Sequence, residues 1–194
     1  MLYHRYLTEV RKPDAPRPVV SAEIAAALDI DPTQVRKDLG AIGLRGMGRV
    51  GFDADEVVRT IRRVLAFDQV HPAIVVGVGH LGGALMAYKR FAQYGLRIVA
   101  AFDNDPDKVG QEISGCRVRH TRTLRSYVER HRVQLAILTT PASVAQRMAN
   151  RLVDMGIKAI WNFSPTRLSV PPDVFVRNEH ISLGLSQLAY HLKK

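Results

Sequence analysis

Cysteine is all but missing from this chain: 194 residues carry one, Cys116. A single thiol excludes an internal disulfide and fits a reducing cytoplasm. Metal-ligand spacing is missing as well. No Cys–His pairing and no H-x-x-x-H run occurs, so no metal site is expected. No apolar run approaches the roughly 18–20 residues that cross a bilayer. The N-terminal residues do not read as a secretory leader, and no membrane role is expected. No Ser/Tyr/Lys or His/Asp constellation offers a nicotinamide an acid–base partner. His71 follows a linker, and His120, His131 and His191 sit in basic or surface-like contexts, so no catalytic residue is expected. Acidic residues are scarce beside basic ones, 18 against 28, for a formal net charge of +10. Such a surplus invites a polyanionic partner. Its distribution is uneven: residues 1–70 carry 11 Lys+Arg and 10 Asp+Glu, whereas residues 71–194 carry 17 and 8. Charge alone does not mark the N-terminal region as a nucleic-acid binder; arrangement has to.

What is present centres on residues 74–103. The apolar run Ile74-Val75-Val76 ends in Gly77-Val78-Gly79-His80-Leu81-Gly82. Leu81, Ala84, Leu85, Tyr88 and Phe91 then fall at helix spacing, and Leu96–Phe102 forms a second apolar run that ends at Asp103. This is a βαβ unit with G-x-G-x-x-G at the first strand-to-helix turn and an acid at the tip of the second strand. Gly77 allows the tight turn, Gly79 lets the backbone approach a pyrophosphate, and Gly82 lets helix and strand pack closely. The helix N-terminus supplies free N–H groups for that pyrophosphate. Asp103 accepts hydrogen bonds from a ribose 2′-OH and repels a 2′-phosphate, which favours NAD(H) over NADP(H). The alternative is a glycine turn that merely packs.

Ahead of this unit, Leu2, Tyr6, Leu7 and Val10 suggest a short helix, broken by the proline-rich Lys12–Pro18 loop. Ser21 reads as the N-cap of a second helix that carries Ile24, Ala25 and Leu28 inward. Asp31-Pro32-Thr33-Gln34 reads as a capping box opening a third helix that buries Val35, Leu39 and Ile42. Thr33 and Lys37 face away from that stripe, with Gln34 and Arg36 beside it. Two short helices joined by a tight turn, the second exposing Gln, Arg and Lys near its N-terminus, match a helix-turn-helix. Such side chains bond guanine and adenine edges in the major groove; the plain alternative is a solvated face. The glycine-rich Gly43–Phe52 segment, with Arg45 and Arg49, suits the wing of a winged helix or a flexible loop. Asp53-Ala54-Asp55-Glu56 caps a further helix with Val57, Val58, Ile61, Val64 and Leu65 on one face, and 67–72 reads as a linker.

Beyond Asp103, Val118 is expected to begin a short exposed strand or turn. Leu124, Tyr127 and Val128 then mark an arginine-rich helix, whose charge is read as solvated or as contacting phosphate. Leu135–Leu138 suggests a buried parallel strand. Ser143 reads as the cap of a helix through Val144, Met148 and Leu152, with 157–161 as the next strand. The terminal segment carries Ile181, Leu185, Leu188, Ala189 and Leu192 on one face and needs a partner surface.

Several strings occur in order: Gln34–Leu39, Arg49–Phe52, Gly77–Gly82, Phe102–Gly110, Leu138–Ala142, Gly156–Lys158 and Asn162–Pro165. In these the chain resembles the redox-sensing transcriptional repressor Rex family over nearly its whole length. The resemblance implies a cytoplasmic homodimer that represses transcription, leaving double-stranded operator DNA when NADH binds as regulatory ligand. It implies an α/β architecture: a winged helix-turn-helix domain over 1–70 and a Rossmann-type doubly wound NAD(H)-binding domain over 71–178. A C-terminal dimerisation helix over 179–194, exchanged between subunits, would follow. DNA contacts are then expected from Ser21, Thr33, Gln34, Arg36, Lys37, Arg45 and Arg49. NAD(H) contacts are expected from Gly77, Val78, Gly79, His80, Leu81, Gly82, Asp103, Asn104 and Lys108. The nicotinamide end is expected near Tyr88, Thr139, Thr140, Pro141, Asn162, Phe163 and Ser164. The chain departs from the family pattern at His80, where Asn is common. It departs again at His180, where the family carries an acid that reaches the partner subunit. Two other readings stand beside this one: an NAD-dependent oxidoreductase, and a regulator of the same fold that binds coenzyme A or another adenosine ligand.

Overall fold

The buried apolar side chains form three clusters, one within the N-terminal part and one on each face of a single large sheet. The computed structural model describes residues 1–12, 14, 18–48 and 50–192. It divides into two compact units, Met1–Gln69 and Val70–Lys194.

In the first unit, α1 (Leu2–Arg5) continues as a π-type turn over Tyr6–Val10. That wider turn rotates the inward face: His4 and Tyr6 are buried, whereas Leu2 and Val10 of the expected stripe are exposed. Part of the proline-rich loop lies outside the described residues. Strand β1 (Pro18–Val19) leads into α2 (Ser21–Leu28), which Val20 caps through its position alone. Ser21 is therefore not the N-cap; it is the first helical residue, and its hydroxyl turns to Arg36. Helix α3 (Pro32–Ala41) begins at Asp31, whose carboxylate accepts the Thr33 N–H at 2.6 Å. The reciprocal half of the expected capping box is missing, because the Gln34 amide donates to Asp38 instead. The chain then doubles back at a Met47–Gly51 bridge into β2 (Phe52–Asp53), which pairs antiparallel with β1 through Val19 and Phe52. The glycine-rich segment is thus a short wing anchored on β1. Helix α4 (Ala54–Val64), capped by Asp53 on the Glu56 N–H, buries Val57, Thr60 and Ile61. Val64 and Leu65, expected on that buried face, are exposed because they lie beyond the reach of this cluster.

The second unit is a seven-stranded sheet. Its elements run β3 (His71–Val76), α5 (His80–Ala87), β4 (Leu96–Asp103), β5 (Glu112–Ile113), β6 (Cys116–His120), α6 (Leu124–His131) and β7 (Leu135–Leu138). Helix α7 (Ala142–Asp154), β8 (Ala159–Asn162), β9 (Phe175–Asn178) and α8 (Ile181–His191) complete it. Strand order is β5-β6-β4-β3-β7-β8-β9, parallel except for β5 against β6. Without the β5 edge, this is the order of doubly wound dinucleotide-binding domains, with the crevice at the β3/β7 reversal. Helices α6 and α7 cover one face through Leu124, Val128, Ala145, Ala149 and Leu152, and α5 covers part of the other.

Several expectations shift. His71 and Pro72 belong to β3 rather than to a linker, since the His71 N–H donates to Gly95 and Pro72 pairs with Arg97. Val118 is 1% exposed, packed inside β6 rather than opening an exposed turn. Helix α5 ends at Ala87 and the chain tightens into a 3₁₀ turn over Lys89–Tyr94. Its fully buried residues are Gly82 and Met86. Of the expected Leu81, Ala84, Leu85, Tyr88 and Phe91 stripe, Leu81, Leu85 and Phe91 are half-buried, with Leu85 packed on the cluster, whereas Ala84 and Tyr88 are exposed. Pro141, not Ser143, is the cap position of α7. Cys116 is half-buried, its thiol donating to the Ile98 carbonyl at 3.6 Å. On α8, Leu185 and Leu188 are exposed, as is Leu192 at its C-cap.

Leu39 is fully buried at the centre of the first unit's cluster. Leu39→Ala is expected to cost about 2–5 kcal/mol, measured by urea unfolding; an unchanged midpoint would remove the cluster from the unit's stability.

Candidate dinucleotide site and DNA-binding face

The turn from β3 into α5 is set by contacts that tolerate only glycine. Gly77 has φ +97°, and a Cβ there would lie 2.8 Å from the Thr139 carbonyl oxygen. A Cβ on Gly82 would lie 2.2 Å from the Gly77 carbonyl oxygen and 2.9 Å from Thr139 Oγ1. Thr139, at the end of β7, donates its hydroxyl to the Gly77 carbonyl, so the two strand ends at the sheet reversal are tied across the turn. Gly79 differs. A Cβ there would meet nothing within 4 Å, leaving open space over the N-terminus of α5, where a pyrophosphate requires it. His80 and Leu81 open that helix, His80 exposed and Leu81 half-buried.

Asp103 ends β4 directly beside this turn and is 8% exposed. Its Oδ2 accepts the Val78 N–H at 2.7 Å, and its Oδ1 accepts the N–H groups of Asn104 and Asp105 at 2.8 and 3.0 Å. Lys108 Nζ lies 3.8 Å from Asp103 Oδ2 and 3.1 Å from Asp105. A carboxylate offers about four acceptor positions, so Oδ2 keeps capacity for a sugar hydroxyl. The hydrogen bond to Asp105, then the nearby Asp103 charge, raise the Lys108 ammonium above its ordinary range, so it stays a cation.

A cavity of about 170 Å³ opens beside Asp103. Gly77, Asn104, Thr121, Thr140, Arg147 and Arg151 line it, with Val144 and Met148 as apolar wall. Neither arginine was expected at the site. Their i, i+4 spacing on the helix after Thr140-Pro141 is the available signal, but without the register of α7 it reads as an ordinary solvated face.

The residues expected at the nicotinamide end divide. Thr140 Oγ1 lies 3.4 Å from Ser164 Oγ, joining the ends of β7 and β8. Asn162 is 1% exposed. Its amide donates to the Thr166 carbonyl and to Asn178, while its oxygen accepts the Ser164 N–H. These bonds place Asn162 as the fixture that shapes the 163–166 loop. Phe163 packs on Trp161, Trp161 on Phe91, and Phe91 edge-on to Tyr88 at 4.9 Å. Pro141 is exposed at the start of α7. Glu179 follows β9 and accepts from Trp161 Nε1 and Arg177 Nε, each at 3.0 Å. The Arg177 bond, then Trp161, hold its carboxyl below the usual range. His180 is exposed at the cap position of α8.

In the first unit, Arg36 donates to Ser21 Oγ and to Thr33 Oγ1, both at 3.1 Å. This gathers three expected DNA contacts where α2 and α3 both begin. A hydroxyl has one donor and two acceptor positions, so Ser21 and Thr33 keep their protons for a phosphate oxygen. Gln34 and Lys37 are exposed on the same helix, and Arg45 is exposed ahead of the wing. Arg49 lies outside the described residues. A contact that the sequence did not signal, Tyr3 donating to Asp38, braces α3 from the N-terminal helix. Burial first, then that hydrogen bond and the Asp38 charge, push the Tyr3 phenol up to about 12.

Among the described residues, no group of three or more His, Cys, Asp or Glu is placed to hold a metal, and no helix is long and apolar enough to cross a membrane. Residues 68–166 match the CoA binding domain family, and residues 1–40 match the family described as putative DNA-binding protein N-terminus. The chain is 37% identical over 192 residues to the redox-sensing transcriptional repressor Rex of Bacteroides thetaiotaomicron, covering 96% of this chain and 87% of that one. It is 39% identical over 190 residues to the Rex repressor of Streptomyces coelicolor, covering 98% of this chain and 73% of that one. Among solved structures, the Rex-family repressor RSP in complex with β-NAD⁺ and operator DNA has a TM-score of 0.91 at 35% identity. That comparison covers 98% of this chain and 87% of RSP. RSP in complex with β-NADH has a TM-score of 0.87 at 34% identity, covering 98% and 88%.

Two glycines separate packing from binding. Gly82→Ala is expected to lose at least about 1–3 kcal/mol of stability in a thermal melt, whereas Gly79→Ala keeps wild-type stability but loses dinucleotide binding. Equal behaviour of the two variants would discard this division. For Asp103→Ala, loss of a charge-assisted bond of about 1.5–3 kcal/mol is expected to weaken NADH roughly ten- to a hundredfold. NADPH should suffer less in parallel fluorescence titrations, and an unchanged NADH/NADPH ratio would take Asp103 out of the recognition.

Proposed function

The chain belongs to the redox-sensing transcriptional repressor Rex family, and from that premise we propose how its residues divide the work. It is a DNA-binding repressor that senses the NADH/NAD⁺ ratio and leaves its operator when NADH binds; it is a regulator rather than an enzyme. The observation that carries this reading is one chain holding a helix-turn-helix and a dinucleotide seat. In that seat the open space over Gly79 adjoins the Asp103 carboxylate and the cavity beyond it.

The pyrophosphate lies on the Gly77–Gly82 turn, the adenosine ribose on Asp103, and the adenine in the cavity lined by Thr121, Thr140, Arg147, Met148 and Arg151. Asn104 and Lys108 close that end. The nicotinamide points the other way across the sheet reversal, toward Thr139, Pro141 and the Phe163–Ser164 loop that Asn162 holds, with Tyr88 at its margin. On DNA, Arg36 with Ser21 and Thr33 takes backbone phosphate, while Gln34 and Lys37 reach base edges. Arg45 and Arg49 serve the wing.

The exposed leucines of α8 call for a covering surface, and a second copy of this chain provides it, giving a homodimer that reads a palindromic site. The working site is the cytoplasm, in keeping with DNA as partner. NADH-driven release does not run through a carboxylate at position 180, because His180 stands there. The second reading, a regulator answering to another adenosine ligand, is favoured by the match of 68–166 to the CoA binding domain family.

Fluorescence anisotropy of an operator fragment, titrated with NADH, NAD⁺ and coenzyme A separately, tests the proposal. Release by NADH alone is expected; release by coenzyme A, or DNA binding unmoved by NADH, would overturn it. Arg36→Ala and Lys37→Ala are each expected to cost about 1–3 kcal/mol of DNA binding with NADH affinity intact. Joint loss of both activities would signal misfolding instead.

A further inference from the structure

The dinucleotide seat leaves another concave, positively charged feature unexplained. Between β6 and α6 lies a cleft of about 270 Å³ lined by Arg119, Thr123, Ser126, Tyr127, Arg130 and His131. Its floor is rigid. Tyr127 donates its hydroxyl to the Val99 carbonyl at 3.0 Å and meets Phe102 edge-on at 5.6 Å. The Arg119 guanidinium sits 5.1 Å from the centre of that Tyr127 ring, and the His131 ring lies 4.2 Å from it, tilted by 36°. Arg119 is thereby fixed in place by an aromatic face rather than by a carboxylate.

Charge balance points the same way. The one acid on α6, Glu129, is engaged by Arg125 at 3.1 Å. Among the described residues, no carboxylate pairs with Arg119 or Arg130. Two guanidinium groups on one cleft, held without an anion of the protein's own, match the planar fork that grips phosphate. The hydroxyls complete the pattern. Thr123 donates to the His120 carbonyl and Ser126 to the Thr123 carbonyl, so inside the cleft their oxygens are left as acceptors. A ligand that suits this lining is an anion at the arginine side and carries hydroxyl donors at the other.

We propose that the β6–α6 cleft is a second ligand site, separate from the dinucleotide seat, that binds a small hydroxylated phosphate monoester through Arg119 and Arg130 above the Tyr127 ring. A pocket of about 270 Å³ with an aromatic floor matches the size of a small ligand. The site borders the first one. Strand pairing sets Arg119 against Phe102 and His120 against Asp103, and Thr121 lines the cavity beside Asp103.

The test follows the arginine side-chain N–H signals by NMR in the full-length protein at constant ionic strength. Inorganic phosphate and ribose 5-phosphate are titrated with the dinucleotide seat first saturated by NADH. Saturable shifts at Arg119 and Arg130 are expected, tighter for ribose 5-phosphate than for phosphate. Arg119→Ala and Arg130→Ala should each weaken binding about tenfold or more, while circular dichroism confirms that they fold. Arg119→Lys, which keeps the charge without the planar fork, should also weaken it. Shifts that rise without saturation, or that saturate only when NADH is omitted, would overturn the proposal. Shifts produced by duplex DNA but by neither small phosphate would overturn it too, and would assign the cleft to a nucleic-acid backbone.

Discussion

A buried carboxylate satisfied by backbone is the constraint on which the second unit turns. Asp103 sits at the end of β4 with its charge held by the N–H groups of Val78, Asn104 and Asp105. The bond to Val78 ties the second strand of the βαβ unit to the glycine turn of the first. The Thr139 hydroxyl ties the same turn to β7. Three strand ends are therefore fixed to one another around a space that only glycine leaves open. An unpaired charge at this depth would cost several kcal/mol. Keeping it paired fixes the loop geometry before any ligand arrives, so binding does not have to supply that order.

The first unit uses the same device in exposed form. Glu23 on α2 accepts from both Tyr6 and Arg11, and Asp38 on α3 accepts from both Tyr3 and Gln34. The N-terminal helical segment is thus fastened to each helix of the helix-turn-helix by a shared carboxylate. Gln34 is tied to Asp38 through one N–H of its amide, while Arg36 lies across the starts of α2 and α3. A flexible pair of helices becomes a fixed surface.

The sheet's parallel core was legible because buried parallel strands are continuous apolar runs, as Ile74–Val76 and Leu135–Leu138 are. The glycine turn and Asp103 were legible because each residue type has a steric or hydrogen-bonding reason to stand at its spacing. What escaped the sequence depended on long-range packing. Ser21 and Ser143 carry capping chemistry, yet the chain enters both helices one or two residues earlier. The helical spacing that included Tyr88 continued past the true end of α5, since periodicity does not register a switch to a 3₁₀ turn. Strand β9 spans four residues, of which only Phe175 and Val176 are apolar, and its pairing with β8 is what places it in the sheet. Arg147 and Arg151 became site residues only once the fold laid α7 beside Asp103.

The lone thiol has a consequence for the kind of information this protein handles. Burial first, then the Glu112 charge, push the Cys116 thiol up, and its proton is directed at the Ile98 carbonyl. A thiol kept protonated is a poor nucleophile toward peroxide and toward disulfides. Oxidants in the surrounding solution therefore react with it slowly, and the chemistry suited to a fast signal is reversible occupancy. Such a record erases itself as fast as the nucleotide dissociates. It needs no repair enzyme to reset, and it reports the present state of metabolism rather than a history of damage.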